Sequence, residues 1–479
     1  MTLNLPPHLA GRTRRLNRRH LKRDRDYVLC WLQQALRSHD NPIIDAAVSL
    51  GNELNLPVVV YHGLDNRYPH ASLRLHRFAL EASQSLTAGL QQRRLRFCRY
   101  VRRPEKRIAA LVYKLADDAA AIVTDDMPTF VARRQAASVA RKTDVPVLAV
   151  DANCLVPMSS FDKPLQATKA FRAAHRPRRQ EWIDAEHDVA PEVRKYTRRL
   201  CFEPDDIEDL TPVQLDDLIG RCGVDMTLPV APDFRGHRDA ALSRMHHAIE
   251  NVVPRYKWTR NNPSLEDSTT GLSPSMHFGV LGPREVTAAV QAADLHSAAR
   301  WKFLDELLTW REYYQHLAYH SDDPADYRQV PAWARKSLAE HADDPRESVY
   351  TLSQLLHAET DDATWNAAQR QFLLDGWMHN NLRMYWVKQI LRWTPTPEAA
   401  WHAATYLNDR LSLDGRDGST YGGIQWGFGR SRRGYREIPI YGWVPPKTDT
   451  AILKRKGMPE WIEWMNARDM IRVDGVADP

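Results

Sequence analysis

The sequence predicts two parts: an α/β N-terminal domain on a parallel sheet, then an all-α C-terminal domain. Three observations carry this. Between residues 26 and 160, short Val-, Ile-, Tyr- and Leu-rich runs alternate with helical stretches, as in a parallel sheet covered on both faces. From about residue 236 the strand signal fades and helical periodicity takes over. The 15 Trp are also unevenly placed: only Trp31 and Trp182 precede residue 250, and the rest lie between Trp258 and Trp464. The two halves are built differently.

Residues 1–25 open with Pro6-Pro7 and a basic run: Arg12, Arg14, Arg15, Arg18, Arg19, Lys22, Arg23 and Arg25. As a helix this run would be basic nearly all round. It reads as a solvated tail, or as an arm or first helix facing nucleic acid. Strands are predicted at Tyr27–Trp31, Pro57–Tyr61, Leu95–Val101, Ala120–Thr124 and Val145–Val150, with helices between them such as Leu73–Leu90 and Phe130–Thr143. Residues 161–235 are mixed and Pro-rich, with a basic patch at Arg172–Arg179 and an acidic stretch at Asp205–Asp217, and read as an interdomain linker. Residues 236–479 carry helical patterns at Arg238–Val252, Pro283–Ala298, Trp301–His316, Val349–Leu356, Trp365–Leu374, Asn381–Trp393 and Pro397–Leu407.

Composition narrows the function classes. Apolar residues make up 43% of the 479 and charged residues 26%, so a large core can be buried. No window holds the ~18 apolar residues of a membrane span, and Met1–Pro7 lacks a secretory apolar core. The five Cys form no CxxC pair, which argues against structural zinc and a disulfide scaffold and for a reduced cytoplasmic chain. No metal site is expected. The formal net charge of +6 permits a polyanionic partner without requiring one. The sheet carries no GxGxxG or Walker loop; a ligand there is expected at the strand ends.

Four constellations could carry chemistry. Glu306 and Trp310, four apart, share a helix face; an exposed Glu beside a core Trp is the plain reading. Trp386 and Trp393 are seven apart, about 10 Å along one helix, with Trp365 upstream and Gly376 as a breaker between. They are a core stripe or a relay of indoles carrying an electron. Arg383, Asn408, Asp414 and Asp417 are costly in a helical core unless paired or ligand-bound. Thr269-Thr-Gly-Leu-Ser-Pro274 places hydroxyls and free N–H groups at a helix start, as an N-cap or a phosphate cradle.

In order and spacing, these segments resemble the photolyase–cryptochrome family from about Tyr256 to Trp426. The likeness runs through Arg260-Asn-Asn-Pro263, Thr269–Pro274, Gly279-Val-Leu-Gly-Pro-Arg-Glu285, Trp310-Arg-Glu-Tyr-Tyr314, Gly376-Trp-Met-His-Asn380, Leu382-Arg-Met384, Asp414-Gly415 and Gln425-Trp426. The first half is similar to the family's antenna domain. Within the family, Thr364-Trp-Asn-Ala-Ala-Gln369, Arg383-Met-Tyr-Trp386, Tyr406-Leu-Asn-Asp-Arg410 and Leu413-Asp-Gly-Arg-Asp417 look most like the class II cyclobutane pyrimidine dimer photolyases. Ile424 stands where class I enzymes carry a relay Trp.

The resemblance implies light-driven repair of UV-damaged DNA with FAD. It implies FAD contacts from Tyr256, Thr269, Thr270, Leu272, Ser273, Arg311, Asn380, Arg383, Asp414 and Asp417, and Asn408 beside flavin N5. The relay would run from Trp386 through Trp365 to Trp393 at the surface. Glu306 would hydrogen-bond the lesion's carbonyl; Trp310, Met384 and Trp426 would wall its pocket. Arg430, Arg432, Arg433 and Arg436, clustered just after Trp426, are candidates to grip DNA, or form a solvated loop. A deazaflavin-type antenna chromophore, a monomer with no obligate protein partner, and nucleoid association in a bacterium are further expectations. A cryptochrome-like photoreceptor signalling to a protein partner is the alternative.

Overall fold

A computed structural model describes residues 4–108 and 110–474. Six strands form one sheet: β1 Thr13–Arg15, β2 Tyr27–Leu32, β3 Val58–Leu64, β4 Arg96–Val101, β5 Ala119–Asp125 and β6 Val147–Val150. Their order is β1-β6-β5-β2-β3-β4. The strands β2–β6 pair in parallel, with Cys30 of β2 opposite Val60 of β3 and Val123 of β5. Every residue of β2 and of β5 is buried, which is why they read as continuous apolar runs rather than alternating ones.

The basic N-terminal segment corrects the expectation of a tail or helix, although residues 1–3 lie outside the described residues. Thr13–Arg15 pairs antiparallel with β6, so the sheet is mixed. Arg12 is buried and donates to the carbonyls of Asp151 (2.5 Å) and Leu155 (3.1 Å), and Arg14 pairs with Asp126 at 2.7 Å. Charge there is partly structural. The pairing depends on residues more than 130 positions away, which local sequence does not reveal.

Residues 161–235, expected as an interdomain linker, pack against both halves. Phe171 is fully buried, Arg172 pairs with Asp305, and His175 lies 2.6 Å from the buried carboxylate of Glu312. The other oxygen of Glu312 accepts from the amide of Leu155 at 2.6 Å. The acidic stretch is also engaged: Asp205 meets Arg103 and Lys106, and Glu208 meets Arg99.

The helical half follows its sequence signals closely. The helix Ala363–Asp375 starts on Asp362, whose carboxylate accepts from the Trp365 amide at 2.8 Å. It stops at Gly376, at φ 69°, in the left-handed region that suits glycine. Asn380–Trp393 and Pro397–Leu411 follow, the latter capped by Thr396. The expected helix Pro283–Ala298 instead ends at Ala292, and a new one runs over Ser297–Asp305. Glu306–Arg311 is a π-helical turn, and Trp426–Arg430 is a kinked turn in which Phe428 and Gly429 leave the helical conformation.

Candidate active site and cofactor cradle

The indoles expected to form a relay lie in line. Trp365 stacks on Trp386 with centroids 6.3 Å apart and planes 4° apart, and meets Trp393 edge-on at 5.4 Å and 76°. The Trp365 indole N–H donates to the Trp386 carbonyl at 3.0 Å, and that of Trp386 donates to Gln369 at 2.8 Å. These bonds satisfy two otherwise costly buried donors. Trp393 is not at the surface as expected: it is 6% exposed, with Tyr350 edge-on against it at 5.2 Å.

One turn back from Trp386, Arg383 lies over Phe372 (5.1 Å), whose ring meets Trp386 edge-on at 5.6 Å. Arg383 donates to Asp414 at 3.0 Å. Burial disfavours the Asp414 carboxylate, but Arg383 and the hydroxyls of Ser412 and Ser273 outweigh it and hold its pKa below the usual range. Asn408 is fully buried on the neighbouring helix. Its amide N–H donates to Asp409 (3.1 Å), so its oxygen points the other way and has no partner among the described residues. Arg383 Nε is likewise buried and unpartnered. Asp409, which accepts from Tyr421 at 2.7 Å, orients Asn408. Sequence reasoning passed it over, although it adjoins Asn408 in the motif.

Asp417 is less free than expected. It accepts from Gln315 (2.7 Å) and caps the helix Gly418–Gln425 through the Ser419 amide (2.9 Å), and His277 lies 3.2 Å away. Burial opposes the charge, yet His277, Arg311 and these bonds bring its pKa down to about 2. Arg311 itself is bound to Asn153 through two bonds of 2.8 and 2.6 Å. Thr269 and Thr270 are half-buried in the loop before the short helix Ser273–His277, Leu272 is buried and Ser273 exposed. Asn380 is exposed at the first turn of its helix.

Glu306 and Trp310 share the π-helical turn Glu306–Arg311. The wider turn keeps both on one side, where π-turns often mark functional sites. Glu306 is held between Arg260 (3.1 Å) and Lys302 (2.5 Å). Arg260 also lies over Tyr256, 6.0 Å from its centroid, so Tyr256 joins this cluster. Trp310 lies against Tyr314 at 6.5 Å, and Met384 is half-buried. Trp426 begins the kinked turn 426–430 and is half-buried. Of the arginines that follow, Arg430 is tied to Gln425 (2.5 Å) and to the Gln329 carbonyl (2.7 Å). Arg432, Arg433 and Arg436 are exposed, with no carboxylate partner among the described residues.

A separate cavity of about 340 Å³ opens at the C-terminal ends of β2, β3 and β4. Trp31, Tyr61, Tyr68 and Tyr100 line it beside Gln33, Gln34, Arg102 and Arg416. This is the place expected of a ligand in an open α/β sheet. His277 lines the same cavity and reaches Asp417, so the two regions adjoin.

A mixed α/β sheet domain docked on a helical domain, with three neighbouring indoles near a buried Arg383–Asp414 pair, fits the photolyase–cryptochrome class. The DNA photolyase family model matches residues 28–193. The chain is 30% identical to the deoxyribodipyrimidine photo-lyase of Methanothermobacter thermautotrophicus, over 95% of this chain and 98% of the relative. It is 31% identical to the enzyme of that name from Oryza sativa, over 87% and 83% of the two chains. Among solved structures, a Synechocystis cryptochrome superposes with a TM-score of 0.66 at 16% identity, covering 93% of this chain and 89% of that one. A class III photolyase from Agrobacterium tumefaciens gives 0.61 at 17%, over 92% and 86%. The chain belongs to the DNA photolyase family and is an enzyme of that lyase class.

Proposed function

We propose that this enzyme repairs UV-damaged DNA with light, splitting cyclobutane pyrimidine dimers, and that it is of the class II type. The observation that carries the reading is the Trp386–Trp365–Trp393 line ending beside the Arg383–Asn408–Asp414 cradle. FAD suits that cradle. The unpartnered oxygen of Asn408 offers an acceptor to an N–H group, as at the N5 position of a reduced flavin, and the unpartnered Arg383 Nε offers a donor. When bound, FAD supplies the light-driven one-electron chemistry.

The chain's own residues do the rest. A dimer inside a duplex is out of reach and must be flipped into a pocket, at a cost that weakened stacking lowers. Trp310 and Trp426 give that pocket aromatic faces of base size, and Met384 adds an adaptable wall. Glu306 orients the lesion, and Arg260 and Lys302 set positive charge where the lesion becomes anionic. Arg432, Arg433 and Arg436 hold phosphates. Tyr256, Thr269, Thr270, Leu272 and Ser273 lie along the cofactor, and Arg311 and Asp417 brace it from the domain boundary. The sheet cavity suits an antenna chromophore of deazaflavin type, its aromatic lining matching a flat ring system.

One experiment tests the reading. The reduced protein is illuminated with thymine-dimer DNA, and the return of thymine absorbance is followed against a dark control. Light-dependent recovery is expected; Glu306→Ala should weaken it, while Trp386→Phe should spare it when the flavin is pre-reduced. Bound FAD that photoreduces without recovery would favour a photoreceptor, and a chain that takes up no FAD would end the reading.

A further inference from the structure

Lys388 lies on the helix Asn380–Trp393, two residues beyond Trp386, and is 1% exposed. Its Nζ has no hydrogen-bond partner among the described residues. It sits instead between two rings, 5.7 Å from the Trp426 centroid and 5.9 Å from that of Tyr441. The Tyr441 hydroxyl donates to the Lys388 carbonyl at 2.9 Å, which fixes the second ring against the same helix. The turn carrying Trp426 also presses on this helix. A Cβ added at Gly427 would lie 2.3 Å from Val387 Cγ1, so glycine permits the approach. An unpaired buried amine is expensive, and methionine would fill the same space without that cost. The amine therefore points to a task.

We propose that Lys388 is a positioning residue for the lesion pocket: its amine holds the Trp426 indole from behind, and the proton it carries sets how firmly that wall stands. The inference rests on Trp426 being a wall of the pocket. A cation over an indole face is attracted to it, and the attraction strengthens when both are out of water; a neutral amine loses it. Burial alone brings the Lys388 pKa down from 10.5 to about 7. The charged groups on the packed elements are engaged elsewhere. On its own helix Arg392 pairs with Glu347, and on the Trp426 turn Arg430 binds Gln425. From the 438–444 segment, the Tyr441 phenol faces it. The hold is thus strong below about pH 7 and fades above it.

The test compares binding of a duplex bearing one thymine dimer with binding of its undamaged counterpart, by fluorescence anisotropy from about pH 6 to about pH 9. In the wild type the preference for the damaged duplex should fall about 3- to 10-fold as pH rises through about 7. In Lys388→Met it should be low and flat across that range. The melting temperature of Lys388→Met should equal or exceed that of the wild type, because an unpartnered amine has left the core. A core role would instead lower melting temperature and preference together. An unchanged preference or pH profile in Lys388→Met, a chain that fails to fold, or a marked drop in melting temperature would overturn the proposal. A wild type with no preference at any pH would remove the pocket reading and this inference with it.

Discussion

The Asn408 amide takes its orientation from Asp409, and its unpartnered oxygen is an acceptor held ready inside the protein. Asn408→Ala is expected to weaken retention of reduced FAD about tenfold, the worth of one buried hydrogen bond, while leaving the helices in place. Flavin released on gel filtration under reducing conditions measures it, and equal retention would remove Asn408 from the cradle. Trp365 bridges indoles on another helix, so Trp365→Phe should stop light-driven flavin reduction while pre-reduced protein still repairs. Photoreduction at the wild-type rate would show that electrons take another route. The pair at positions 386 and 393 was visible from spacing alone. The place of Trp365 between them came from the family resemblance and not from spacing, because it depends on how two helices pack.

At the scale of elements, the turns matter more than the helices they interrupt. Glu306 and Trp310 share a π-turn, and Trp426 and Arg430 flank a kink at Phe428 and Gly429. Sequence periodicity predicted ordinary helix at the first, since one widened turn barely disturbs an apolar pattern. The kinked turn presses on Val387, and Gly427→Ala should cost about 1–3 kcal/mol through overpacking, read as a shift in urea midpoint; no shift would mean that the helices separate freely. Asp417 caps the preceding helix with a carboxylate whose pKa is lowered to about 2 from 3.8. A depressed pKa adds stability above the unfolded value, here on the order of 2 kcal/mol, which is lost as pH falls from about 4 to about 2. Asp417→Asn keeps a capping oxygen without the charge. Its melting temperature should be lower at neutral pH and fall less steeply in acid; parallel curves would show that the charge contributes nothing.

Across the whole molecule, Arg74 joins the two halves. It is buried on the helix Leu73–Gln92 and donates to the carbonyls of Pro229 (2.9 Å), Phe372 (3.2 Å), Leu373 (2.6 Å) and Leu411 (2.7 Å). It thus caps two helix ends of the helical half from the sheet domain. Arg74→Met should cost about 3 kcal/mol, because several carbonyls lose their donor at once, and should split the urea transition into two steps. A single transition at the wild-type midpoint would rule out that docking role. On the outer face, Arg433→Ala should reduce the slope of log affinity against log salt for DNA by about 1; an unchanged slope would place the phosphates elsewhere.

Local sequence determined the five parallel strands and many of the longer helices, because buried parallel strands and amphipathic helices write their periodicity into consecutive residues. It also marked the indoles, the Arg–Asp pair and Asn408 as a set, since buried polar residues are conspicuous in an apolar helical half. Tertiary structure alone decided which of them meet. It turned the basic N-terminus into an edge strand, bound Arg430 and Arg311 into the protein and covered Trp393 with Tyr350. It also placed Lys388 unpaired behind Trp426. In each case the partner lies on another element of the fold, and the energy of a buried charge or ring depends on that partner rather than on its neighbours in the chain.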